Sequence, residues 1–194
     1  MRKALVATLL ATVAATACAG SSDSGSKPSA PATSTPTASS SSAPVTITVT
    51  SPAFADGSTI PVKYTCTASS PVSPPLAWSE VPSGTAELTL LVEDPDASSG
   101  GFVHWVVYGI PPGTRNLAEG SLPGAAEQGA NGRNQNQWQG PCPPVGNVPH
   151  HYRFTLTAVS KPLGLAPGAT AAQVKAAMAG STVGQGLLVG LYGR

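Results

Sequence analysis

The chain has 194 residues, with 10 Lys or Arg, 9 Asp or Glu, and a formal net charge of +1. That length suits one domain with its own core. The sparse, balanced charge excludes a nucleic-acid footprint, which needs a basic patch or stripe, and it excludes an acidic tail.

The N-terminus reads as an export signal. Arg2 and Lys3 form a positive n-region, and Ala4 to Ala14 is apolar but shorter than the roughly 20 residues that span a bilayer. Ala15-Thr16-Ala17-Cys18 then has the form of a bacterial lipobox, with Ala15 where Leu is usual. The expected processing removes residues 1–17 and attaches diacylglycerol to Cys18, leaving a nearly neutral, membrane-anchored chain on the extracytoplasmic side. An ordinary signal peptide followed by an incidental Cys, which would give a secreted chain, is the alternative. Residues 18–43 are almost wholly Ser, Thr, Ala, Pro and Gly. Too few large apolar groups are present to offset chain entropy, so this segment is expected to be a disordered tether.

The folded domain is expected over residues 44–194. Val45 to Thr50 alternates apolar residues with Thr, the period of a half-buried strand. Further strands are expected at Glu87 to Val92, Val103 to Ile110, Tyr152 to Val159 and Leu187 to Tyr192, separated by Pro- and Gly-rich loops. One helix follows from Thr170 and Gln173, which have the spacing of a capping box, and from Gly180, which suits a left-handed stop. Val174, Ala177 and Met178 would face the sheet. Many strands with one late helix predict a mainly β domain, a sandwich or a barrel. Trp105, Val107 and Phe154 are expected in its core.

Two cysteines follow Cys18: Cys66 and Cys142. An exported chain with an even count favours a disulfide between them, with two buried free thiols as the alternative.

Only three His are present, at 104, 150 and 151. His104 opens a strand. His150 precedes another, after the Pro-rich Gly140-Pro141-Cys142-Pro143-Pro144. Asp94 and Asp96 lie where a strand runs into a Pro turn. These four residues therefore fall at strand ends beside Pro-fixed loops, where sites tend to be built. Asp96 has the composition of a turn former. His151 should face solvent, since it alternates with His150 and Tyr152. Trp138 is either a rim residue or a loop anchor.

Read together, DPDAS, FVHWVVYGIP, GPCPPVG and HHYRFTLTAV resemble the phosphatidylethanolamine-binding (Raf kinase inhibitor-like) family, its bacterial branch above all. SPAFADGSTIPVKYTC, PPLAWSEVPSGT and the terminal LVGLYGR resemble it too. The resemblance runs from about Val45 to Arg194. It implies two antiparallel sheets forming a β-sandwich with a C-terminal helix, and a small surface pocket for phosphate-like anions. Carried over, the pocket comprises Asp94, His104, Gly140, Pro141, His150 and Tyr152. Thr67-Ala68 and Asn131 to Gln139 depart from the family pattern, so the rim is altered.

In physical terms, His near a carboxylate is expected to have a raised pKa, and Tyr152 can add an O–H donor. The function expected is a lipid-anchored binding protein for a phosphate-like anion or phospholipid head group, without cofactor and not an enzyme. An envelope protein that docks a partner through the pocket rim is the second reading. A zinc site of Asp94, His104 and His150 is the third.

Overall fold

The Tyr152–Val159 alternation is part of a ten-residue strand at the centre of a large sheet in the computed structural model, which describes residues 43–98 and 100–194. The export signal, Cys18 and nearly all of the tether lie outside the described residues. In chain order the strands are β1 (Val45–Thr46), β2 (Val49–Thr50), β3 (Ser58–Thr59), β4 (Leu76–Trp78), β5 (Glu87–Asp94) and β6 (Phe102–Ile110). They continue with β7 (Asn116–Leu117), β8 (Glu127–Ala130), β9 (His150–Val159), β10 (Gly168–Thr170) and β11 (Thr182–Tyr192). The helix α1 (Ala171–Met178) lies between the last two.

The large sheet has the order β1-β11-β9-β5-β6-β8-β10, with β3 also on β11; a small sheet has the order β2-β4-β7. All ladders from β11 through β9, β5 and β6 to β8 are antiparallel, as is the small sheet. The domain is thus mainly β, with two sheets and one helix. At the margins β1, β3 and β10 add short parallel pairs. The Val45–Thr50 run is divided between the sheets, because its first half pairs with β11 and its second half with β4.

Period-2 geometry explains the two cores. Leu88, Leu90 and Val92 of β5 pack with Trp105, Val107, Phe154, Leu156, Ile47 and Trp78 between the sheets. The intervening Leu91 joins Val106, Tyr108 and Val159 on the opposite face, covered by Val174 and Met178 of α1. Both faces of β5 are buried, so it reads as a continuous apolar run. The helix is closed by the expected capping box: Gln173 N–H donates to Thr170 Oγ1, and Gln173 Oε1 accepts from Thr170 N–H at 2.8 Å. It ends before Gly180, whose φ is +70°. Val174 is fully buried, a burial that stabilises by about 1.5–3 kcal/mol. Ala177 is only half-buried, so the helix seats on Ala171, Val174 and Met178.

Candidate functional site

Asp94 is the last residue of β5 and is buried. Its Oδ1 accepts from the backbone N–H of Asp96 at 2.9 Å and of Ala97 at 3.1 Å, which folds the DPDA turn. Its Oδ2 accepts from His150 Nδ1–H at 2.8 Å, with side chains only 4% and 7% exposed. One carboxylate thus shapes a turn and orients an imidazole, while β9 begins at His150.

The turn-forming role expected of Asp96 therefore falls to Asp94. Asp96 is exposed, and its Oδ2 accepts from both the backbone N–H and Nδ1–H of His151 at 2.7 Å. Those hydrogen bonds hold its carboxyl below the usual range. His151 faces solvent, as the strand alternation requires.

His104 lies on β6, 4% exposed. Its Nδ1 is 2.6 Å from the carbonyl of Gln139, which can only accept, so Nδ1 carries the proton. The ring packs edge-on between Phe102 and Tyr152, with centroids 4.8 and 5.0 Å away. Burial pushes its pKa down, outweighing the Gln139 carbonyl and the Asp94 charge, both of which favour the cation. The expected rise is thus reversed at His104, because the ring sits too deep for a carboxylate at that remove to compensate desolvation. Among the described residues, the Nε2 atoms of His104 and His150 have no protein partner, and neither is a buried unsatisfied atom.

The opposite wall is the Gly140–Pro144 loop. Gly140 passes so close to the 64–66 segment that a Cβ there would lie 2.8 Å from both Thr65 C and Tyr64 O. Cys66 N–H donates to Pro141 O at 3.0 Å. Cys66 and Cys142 form a disulfide, Cα to Cα 5.4 Å, as the even cysteine count favoured. Trp138 proves to be an anchor: its Nε1–H donates to Tyr64 O at 3.0 Å, and its ring lies against Trp105 and Phe154.

These walls enclose a cavity of about 400 Å³ in which Asp94, His104, Gly140 and His150 come together. Two expected members do not line it. Pro141 is buried behind the loop, its carbonyl held by Cys66. Tyr152 lies beneath His104 with its hydroxyl buried and without a partner, and burial raises its pKa. The strand period put Tyr152 on the face of His150, but two residues further into the core. Among the lining residues outside the expected set, Ser98, Arg133, Gln139 and Asn147 bring polar side chains. Arg133 is the single cation of the departing 131–139 segment, and that was its available signal. A larger concavity, about 470 Å³, lies on the far side of the Gln139–Gly140 wall and has no charged side chain.

Chemically the cavity offers one permanent cation in Arg133, the two imidazole rings, the Ser98 hydroxyl and the Gln139 and Asn147 amides, with the Asp96 carboxylate, held by His151, also in its lining. Asp94 spends both oxygens on protein donors. Among the described residues, no three His, Cys, Asp or Glu side chains cluster as metal ligands.

A family model described as "Phosphatidylethanolamine-binding protein" matches residues 50–193. The "Putative lipoprotein LppC" of Mycobacterium tuberculosis is 47% identical over 142 residues, covering 73% of this chain and 70% of that one. Among solved structures, CT736 of Chlamydia trachomatis, described as a "Putative PhosphatidylEthanolamine-Binding Protein (PEBP) Homolog", superposes with a TM-score of 0.72 at 37% identity, over 77% of this chain and 98% of that one. YbcL of E. coli, described as a new member of the mammalian family, gives 0.72 at 28% identity, over 76% and 98%.

Proposed function

This chain belongs to the phosphatidylethanolamine-binding protein family, and from that premise we propose that it is an extracytoplasmic, lipid-anchored binding protein whose cavity takes a small phosphate-like anion. The observation that carries the reading is the buried Asp94–His150 pair. Because Nδ1–H is committed to the carboxylate, the remaining donor or acceptor of His150 is Nε2, held in one orientation by a partner that is itself fixed by two backbone N–H groups. Arg133 supplies a guanidinium with several N–H donors to the same lining.

His104 plays the complementary part. Its lowered pKa keeps the ring neutral at ordinary pH, so Nε2 is an acceptor. A phosphate carrying one proton suits this lining: its charged oxygens meet Arg133 beside His150, and its P–OH donates to His104 Nε2. Sulfate lacks that proton at neutral pH and is the weaker ligand. The lipobox form of 15–18, and a relative named as a lipoprotein, support the anchor at Cys18.

Isothermal titration with inorganic phosphate, phosphoethanolamine and sulfate tests this. Saturable heat with both phosphates, weaker with sulfate and abolished in His150→Ala, is expected. Equal affinity for sulfate and phosphate would overturn the role given to His104, and no saturable heat with any of them would overturn the pocket.

A further inference from the structure

The segment after the cavity wall, Pro144 to Pro149, projects two apolar side chains into water. Val145 is 77% exposed and Val148 is 80% exposed, the two most exposed large hydrophobic side chains among the described residues. Single exposed apolar residues are ordinary on protein surfaces. These two are three residues apart on one turn, and the residues between and before them, Asn147, Pro144 and Pro143, line the anion cavity.

The turn is also held firmly. Gly146 N–H donates to Arg194 O at 2.8 Å, and Arg194 Nε–H donates to Pro143 O at 2.7 Å. Asn147 N–H closes back on Pro144 O at 3.3 Å, and the disulfide lies immediately before the turn. Three prolines limit the remaining freedom, so little order is lost when the turn is buried. The chain thus maintains a rigid apolar tip on the lip of a phosphate-sized cavity.

We propose that this tip is a membrane-docking element: Val145 and Val148 enter the headgroup–acyl boundary while the adjoining cavity receives the phosphate of a lipid. The inference rests on the anion-pocket reading above and assigns it a partner surface, the bilayer. Apolar groups beside an anion receptor match a phospholipid interface, in which phosphate lies next to hydrocarbon.

The test uses the exported chain with Cys18→Ser, so that no acyl group contributes, and mixed phosphatidylethanolamine–phosphatidylglycerol vesicles in a sedimentation assay. The parent should bind. Val145→Ser with Val148→Ser should weaken binding at least tenfold, and phosphate titration of the same variant should remain unchanged, which shows the fold and cavity intact. Val145→Leu with Val148→Leu should bind as well as the parent or better. Phosphate binding without vesicle binding in the parent, or vesicle binding unaffected by the two Ser substitutions, would overturn the docking role and leave the pocket standing. Vesicle binding that needs the valines in a chain that ignores phosphate would support the tip and remove the pocket.

Discussion

Substitution of Asp94 separates its two jobs. In Asp94→Ala, the buried Nδ1 of His150 loses its acceptor, and the backbone N–H groups of Asp96 and Ala97 lose theirs. The two N–H groups lie near the surface and can turn to water. The imidazole is 7% exposed and cannot. Breaking a buried pair by removing one partner costs about 3–5 kcal/mol. Asp94→Asn should be milder, at about 1–2 kcal/mol, because Oδ1 can still accept from both backbone donors and only the His150 bond is changed. Its Nδ2–H₂ would face Nδ1, which must then accept, so the His150 proton moves to Nε2. Urea unfolding with the disulfide intact gives the energies, and ring ¹⁵N chemical shifts give the tautomer. An Asp94→Ala loss below about 1 kcal/mol, or an Nδ1–H tautomer persisting in Asp94→Asn, would refute the reasoning.

Arg133→Ala should weaken phosphate binding about tenfold in titration while leaving the urea midpoint unchanged, since Arg133 is exposed at the rim. Gly140→Ala should lower stability by about 1–3 kcal/mol and impair phosphate binding, because the new methyl collides with the Tyr64–Thr65 backbone rather than with a side chain that can move. Replacing Cys66 and Cys142 together by Ala opens a loop with a sequence separation of 76; unfolding in urea should report a loss of about 4 kcal/mol. His104 gives a pH signature. Its pKa is lowered on folding, so the unfolded chain takes up that proton first. The stability it protects is complete above about pH 6.5 and declines as pH falls through that value toward the lowered folded pKa. Comparing His104→Gln with the parent by urea unfolding between pH 7 and 5 should remove that part of the slope.

The parts of the fold legible in the sequence are those whose own side chains announce their period. In β9, buried His150, Tyr152 and Phe154 alternate with exposed His151 and Arg153. The α1 cap was readable because Thr170 and Gln173 recognise each other locally. β11 begins five residues before the apolar run at Leu187, and this extension was not legible. Gly184 and Gly186 remove the alternation there because Ile47 and Pro82 lie directly against the strand, leaving no room for a Cβ. β8 (EQGA) was invisible for the same reason, since Gly129 lies under Val106 and the Ala169 carbonyl. At the site, the family motifs located Asp94, His104, Gly140 and His150. They could not tell that Tyr152 would be roofed by His104, because that depends on packing across strands. Nor could composition separate the roles of Asp94 and Asp96, since both satisfy the same turn pattern and only the position of β9 decides which meets His150.

The central claim is that His150, fixed by Asp94, and His104, kept neutral by burial, receive a phosphate-like anion between them. NMR of the histidine ring nitrogens and backbone amides during a titration with inorganic phosphate tests it most directly. Saturable shifts are expected at His150, His104, Gly140 and Arg133, with His104 keeping its neutral Nδ1–H tautomer, and they should be lost in His150→Ala. Rings and amides that stay unchanged at millimolar phosphate would contradict it.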